Sequence, residues 1–88
     1  MNQIKITPKV YLPAGTMVKI TKCLAFKPSQ VKPGSTSYGN LKDDLKTGHA
    51  VVLNNTSFNT TAVSGIIETN GNDFIINTET SVYFLQRI

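Results

Sequence analysis

Few side chains in this sequence could do acid–base, nucleophilic or metal chemistry. The 88 residues include one cysteine, Cys23, one histidine, His49, and five carboxylates. A nucleophile needs an oriented base and an oxyanion site, and no motif marks either one. One histidine and one cysteine also leave a metal site short of ligands. We therefore expect a protein that is not an enzyme and that holds neither a metal ion nor a cofactor.

The individual candidates have simpler structural explanations. Cys23 lies inside an apolar stretch and is expected in the core, where free cysteines are often found. His49 follows a glycine at the start of a strand, and we expect a structural or surface role for it. Asp43 and Asp44 are adjacent, so their side chains project in different directions and cannot easily flank a substrate. We expect them near the start of a helical turn, where negative charge complements the helix dipole.

Residues 27–40 are the stretch best suited to hold a ligand or a partner. The stretch contains two prolines, two glycines and three serines, and we expect it to lack regular structure. Most connections in compact domains run about 4–6 residues, and much longer ones are usually functional or disordered. Lys32, Gly34 and Ser35 have the character of an anion-binding loop, although the spacing of a P-loop is missing. Tyr38 adds a ring that could stack on a base or anchor a partner.

Positive charge is concentrated in the first half of the chain. Residues 1–42 contain seven lysines and no acidic residue, whereas residues 43–88 contain two cations and five carboxylates. Base-specific DNA readers rely on arginine forks, and this chain has a single arginine, Arg87. The lysines either attract phosphate or an acidic protein surface, or they are the solvent faces of strands, where they discourage edge-to-edge pairing.

Three functions fit this pattern. The leading hypothesis is a small binding module that docks a protein partner, steered by lysines and anchored by apolar side chains that include Phe26. The alternative is binding of single-stranded nucleic acid, because Tyr11 and Tyr38 are interleaved with lysines. The third is an oligomer that holds a small nucleotide. The candidate binding residues are Lys9, Tyr11, Lys22, Lys27, Val31, Lys32, Gly34, Ser35 and Tyr38.

Alternation of apolar and polar residues predicts strands along most of the chain. In the longest early strand, Val18 and Ile20 are expected to point inward. The alternation changes phase near Cys23, which predicts a bulge, with Cys23 or Leu24 also inward. Asn70-Gly71 between apolar runs predicts a hairpin. The predicted strands cover residues 3–7, 16–26, 49–53, 58–69, 74–78 and 81–88.

One helical turn is expected at residues 41–46, because Leu41 and Leu45 are spaced i, i+4 and Gly48 follows. With five to seven short strands, the predicted fold class is all-β. We expect a small SH3-like barrel or a two-sheet β-sandwich, formed by a single domain over residues 1–88. No apolar run is long enough for a transmembrane helix, and the N-terminus lacks the apolar core of a signal peptide. A cytoplasmic protein without a membrane partner is expected, either alone or as a homo-oligomer.

The C-terminal hairpin resembles one found in small bacteriophage-encoded proteins. It reads TAVSGII over residues 61–67 and IINTETSVYFL over residues 75–85, with Ala62 where that pattern has serine. Residues 10–18, VYLPAGTMV, are also similar to short phage β-domains. The resemblance implies a phage or prophage accessory protein that binds a host or defence factor or takes part in phage assembly. Such a protein would act in the infected or lysogenic bacterium or in the virion. The resemblance implies no catalytic residue.

Overall fold

A computed structural model of the protein describes residues 9–26, 33–54, 56 and 58–88. Within these ranges the strands are β1 (Met17–Ala25), β2 (Thr36–Asn40), β3 (Ala50–Val52), β4 (Asn59–Glu68), β5 (Asp73–Thr78) and β6 (Ser81–Arg87). They form one antiparallel sheet in the order β2-β1-β6-β5-β4-β3. The all-β prediction is confirmed. The strand predicted at residues 3–7 lies outside the described residues.

The sheet curls until its two edge strands meet at one end. The amide of Asn54 donates to the carbonyl of Asn40 at 2.8 Å, and the amide of Lys42 donates to the carbonyl of Val52 at 2.9 Å. We call this junction the seam; it comprises residues 40–42 and 52–54. Because the sheet curls back on itself, its inner face encloses the core, as in the barrel alternative rather than the two-sheet sandwich.

Most of the core comes from residues that alternate along the strands and point to the inner face. Val18 and Ile20 are both buried, as their spacing predicts. The leucines at the seam and in the segment before β1 close the same cluster. The buried apolar residues are Leu12, Val18, Ile20, Leu41, Leu45, Val51, Leu53, Val63, Phe74, Ile76, Tyr83 and Leu85.

The hairpin between β4 and β5 is confirmed at Asn70-Gly71. The side-chain oxygen of Asn70 accepts hydrogen bonds from the amides of Asn72 and Asp73, at 3.1 and 3.0 Å. Gly71 has a φ of 83°, in the left-handed region where a Cβ is disfavoured. Local chemistry therefore sets this turn and the pairing next to it, and the β4–β5 register shifts further along, between Val63 and Gly65.

The helical turn predicted at residues 41–46 is wrong, because this segment is extended. Leu41 pairs with Leu53 across the seam, and Leu45 pairs with Leu12 in a second antiparallel bridge. The amide of Leu45 donates to the carbonyl of Leu12 at 2.8 Å. These bonds engage backbone groups that a helical turn would need, and a single isolated turn is costly to nucleate. The two leucines are buried all the same.

The irregular loop predicted over residues 27–40 is also partly wrong. Its last five residues are β2, which pairs with β1 from Met17 opposite Asn40 to Thr21 opposite Thr36. The hydroxyls of Thr21 and Thr36 lie 3.1 Å apart. Threonine and tyrosine suit a half-exposed strand, and cross-strand pairing with β1 overrides the turn-forming composition. Residues 27–32 lie outside the described residues.

Candidate partner-binding surface

Tyr38 and Lys19 lie side by side on the outer face, the side of the sheet that points away from the core. They are direct partners in the β1–β2 register. The ammonium of Lys19 is 5.9 Å from the centre of the Tyr38 ring, and Tyr38 is 58% exposed. An exposed aromatic ring beside a cation supplies apolar contact area with a positive charge at its border. Aromatic side chains such as tyrosine are enriched at protein interfaces.

Among the described residues, no strand pairs with the backbone edge of β2 beside this pair. The carbonyl of Asn40 points to the seam, where it accepts from Asn54. Backbone groups alternate in direction along a strand, so those of Tyr38 and Thr36 point the same way as the Asn40 carbonyl, away from β1. In the part of the chain that the structure describes, β2 is the last strand of the sheet and no strand pairs with it on that side. An extended peptide could therefore bond to it.

Lys19 was not among the candidate residues from the sequence, although a signal was present. It stands between Val18 and Ile20, both of which point inward. Strict alternation places the side chain between them on the outer face. What the sequence alone did not give is the partner strand, which sets Tyr38 next to it.

Lys22, a candidate binding residue, is not on the surface. It is 2% exposed, and its ammonium lies 5.9 Å from the centre of the Tyr83 ring. Its register partner in β6 is also Tyr83, so Lys22 continues the inward series of Val18 and Ile20. Membership of this inward series removes Lys22 from any docking surface.

Cys23 is exposed, so its predicted place in the core is wrong. The register between β1 and β6 shifts between Lys22 and Leu24, which confirms the bulge predicted here. Cys23 is the extra residue of the bulge and has no partner position in β6. Leu24 pairs with Val82 on the outer face and is 51% exposed. Neither Cys23 nor Leu24 is buried, although one of them was expected to point inward with Val18 and Ile20.

Lys9 and Tyr11 lie together, in contacts that do not involve Tyr38. The ammonium of Lys9 is 4.6 Å from the centre of the Tyr11 ring and 3.6 Å from a carboxylate oxygen of Glu68. Tyr11 packs edge-on against Phe74 with ring centres 6.1 Å apart. The ring of Tyr11 is thus part of the packing around the core, and Tyr38 stands apart from it.

Gly34 and Ser35 form the turn that leads into β2. The amide of Gly34 donates to the carbonyl of Lys22 at 2.6 Å, and the carbonyl of Ser35 accepts from the amide of Lys22 at 2.9 Å. These groups hold β2 against β1. Three further candidates, Lys27, Val31 and Lys32, lie outside the described residues.

Two of the residues considered for catalysis, Asp44 and Cys23, make contacts with backbone groups. Asp44 accepts a hydrogen bond from the amide of Ala14 at 2.7 Å, which ties the segment before β1 to the seam. Asp43, Asp44 and His49 border one shallow depression. The thiol of Cys23 contacts the carbonyl of Thr21 at 3.7 Å, far along the chain from that depression.

Comparisons with known protein families, with characterised proteins and with solved structures gave no match to this chain. Among the residues that the structure describes, no three His, Cys, Asp or Glu side chains are grouped so that they could hold a metal ion. The same residues include no helix long and apolar enough to cross a membrane.

Proposed function

We propose that this protein is a small, non-enzymatic binding module that docks a protein partner along the open edge of β2. The observation that carries the proposal is the pair of Tyr38 and Lys19 beside that edge. Tyr38 supplies an exposed anchor, Lys19 supplies positive charge, and the edge supplies unpaired backbone groups. The three together suit an extended, acidic segment of a partner.

The mechanism of docking is strand addition. Backbone groups of Thr36 and Tyr38 pair with an extended segment of the partner, which becomes an additional strand of the sheet. Natural edges are often protected by lysine or proline on the edge strand. The sequence of β2, TSYGN, contains neither. Lys19, on the neighbouring strand, attracts an acidic residue of the added segment without obstructing it.

The resemblance of the C-terminal hairpin extends the proposal to the kind of protein. We place the chain among phage or prophage accessory proteins, with a host factor, a defence factor or a phage assembly component as its partner. It would act in the cytoplasm of the bacterium or in the virion. Masking a partner's surface needs only steric and electrostatic contacts.

Single-stranded nucleic acid is a weaker candidate for this surface. Binding of that kind uses a basic groove in which several aromatic rings stack on successive bases. Tyr11 packs on Phe74 and Lys22 is buried. The rings of Tyr38 and Phe26 are exposed, but Tyr38 pairs with Lys19 and Phe26 follows the far end of β1, so the two rings do not form one stacking surface. A nucleotide held between subunits has no support in the bonds of Gly34 and Ser35, which serve the β1–β2 pair.

The proposal is tested by affinity capture from bacterial lysate with immobilised wild-type protein and Tyr38→Ala. We expect the wild type to retain a protein that is released at about 0.5 M salt, where charges are strongly screened. Tyr38→Ala should retain about tenfold less, because truncation of an aromatic anchor is among the costliest changes at an interface. Val10→Ala is the matched control, since Val10 is also an exposed apolar residue but lies outside β2.

Two results would overturn the proposal. One is equal capture by Tyr38→Ala and wild type. The other is an eluate whose absorbance at 260 nm shows that the retained molecule is nucleic acid.

A further inference from the structure

The two central strands β5 and β6 carry apolar residues on both faces. An antiparallel sheet that covers a core on one side usually presents polar side chains on the other. Here the inner face buries four apolar residues of the two strands besides Thr78 and Ser81, and the outer face carries three more apolar residues that are only partly covered. The inner residues are Phe74, Ile76, Tyr83 and Leu85, and the outer ones are Ile75, Val82 and Phe84.

The outer apolar residues form a continuous band across the sheet. Ile67 pairs with Ile75, and Ile75 pairs with Phe84, so the three occupy one row over β4, β5 and β6. Leu24 and Val82 extend the band in the neighbouring row. Ile67 and Leu24 are each more than half exposed. Large exposed apolar patches on small domains mark interaction surfaces.

Opposite charges lie in the next outward-facing row of the sheet, beyond Phe84 and Ile75, one strand to either side of β6. Gln86 of β6 pairs with Lys19 on one side and with Asp73 on the other. Paired residues share a face, so all three point outward, with Lys19 and Asp73 separated by two strand spacings, about 10 Å. The row next to the band thus carries a positive charge on β1 and a negative charge on β5, with β6 between them.

We propose that a second copy of this chain covers the outer face, in a two-fold dimer whose axis runs along β6. A two-fold contact is self-complementary: if one residue meets another, the reverse contact also forms. Rotation about β6 sets Phe84 against Phe84 of the second copy. The same rotation sets Lys19 against Asp73 twice, once in each direction. The arrangement of charge therefore selects this axis and this partner.

The dimer and the proposed partner docking share the Lys19 side chain, but the other groups that they use differ. Strand addition uses backbone groups that lie in the plane of the sheet at the edge of β2. Face-to-face packing uses side chains that project from β1, β6, β5 and β4. The two interactions are tested by different variants, and either can fail without the other.

Charge reversal tests the dimer. Sedimentation and light scattering measure the molecular mass at protein concentrations from about 1 µM to about 1 mM, a range that covers weak dissociation constants. The wild type should shift from 9.6 kDa towards twice that mass as concentration rises. Lys19→Asp alone places like charges at both contacts, and so does Asp73→Lys alone. Each variant should dimerise about tenfold more weakly. An equimolar mixture of the two restores opposite charges at both contacts and should form the heterodimer.

Controls separate charge pairing from damage to the fold. A carboxylate oxygen of Asp73 accepts a hydrogen bond from the side-chain amide of Asn70 at 3.1 Å, so a substitution at Asp73 could disturb the turn. Circular dichroism checks the fold of both variants. Asp73→Asn removes the charge and keeps a side-chain oxygen that can accept this bond. Lys42→Asp, an exposed site at the seam, should leave dimerisation unchanged. A wild type that stays at 9.6 kDa throughout, or a mixture no more dimeric than its components, overturns the proposal.

Discussion

At the residue scale, one inserted residue decides which side chains of β1 are buried. The sequence predicts a bulge near Cys23, and the register shift between Lys22 and Leu24 is that bulge. The sequence could not predict which residue is the extra one, because that depends on pairing with β6. Hydropathy favours burying Cys23 or Leu24, yet the register buries Lys22 against Tyr83 and leaves the other two exposed.

Exposure of Cys23 is testable without unfolding the protein. We expect a thiol-specific disulfide reagent to label one thiol per chain under native conditions. The labelling rate should be close to that of a free small-molecule thiol. A side chain on the bulge is open to the reagent, whereas a core thiol reacts only when the fold opens. Labelling that needs denaturant would contradict the assignment.

Burial of Lys22 predicts an unusual stability cost for a lysine. Lys22→Ala should lower the free energy of unfolding by about 2–4 kcal/mol, because truncation leaves a cavity next to Tyr83. Lys22→Met should cost less, since methionine fills most of the volume of the lysine stem. Urea denaturation measures both. The control is Lys42→Ala at an exposed site, expected within about 0.5 kcal/mol of wild type; equal effects of Lys22→Ala and Lys42→Ala would contradict burial.

At the element scale, local signals were readable and non-local ones were not. The Asn70-Gly71 hairpin and the strands on either side follow from turn chemistry and alternation within a few residues. The seam joins residues that are ten or more positions apart in the sequence. No local pattern near Leu41 therefore predicts it. For the same reason the segment 41–46 was predicted as a helical turn, and β2 was predicted as part of a loop.

The seam also explains why a glycine stands at position 39 in β2. A Cβ added to Gly39 would lie 3.2 Å from the Cβ of Leu53 and 3.4 Å from the carbonyl oxygen of Asn54. Gly39→Ala should therefore destabilise the protein by about 1–3 kcal/mol, the usual cost of overpacking. Thermal unfolding followed by circular dichroism checks this.

Gly65 in β4 is the matched control for that prediction. A Cβ at Gly65 would meet only the side-chain nitrogen of Asn77, at 3.9 Å, in ordinary contact. Gly65→Ala should be neutral or slightly stabilising, because it restricts the unfolded chain. Equal melting temperatures for Gly39→Ala and Gly65→Ala would contradict the close approach at the seam.

At the scale of the whole molecule, closure of the sheet determines which part of the β2 edge is accessible to a partner. The seam closes one end of the β2 edge, and no described strand pairs with Thr36 and Tyr38 on that side. Sequence reasoning identified Tyr38 as a contact residue, but the edge beside it requires the sheet order. The identity of Lys19 as its neighbour needs the β1–β2 register. Lys22 is buried and therefore takes no part in a basic surface.

Proline substitution within β2 tests the central claim, that a partner adds a strand along this edge. Proline removes a backbone donor and is tolerated in edge strands where that donor faces outward. The amide of Thr36 faces away from β1, so Thr36→Pro should preserve the fold. The amide of Ser37 faces β1, so Ser37→Pro should lower the melting temperature. A lower value for Ser37→Pro than for Thr36→Pro would show that the backbone amides of these two residues point in opposite directions.

The most direct measurement is the amount of partner captured from bacterial lysate by Thr36→Pro, relative to wild type. We predict that Thr36→Pro melts within a few degrees of wild type and retains about a tenth of the captured protein or less, because it lacks an edge donor and carries a ring that obstructs the added strand. Tyr38 and Lys19 are unchanged in this variant, so the loss isolates the backbone edge. Capture by Thr36→Pro equal to that of wild type would contradict strand addition at β2.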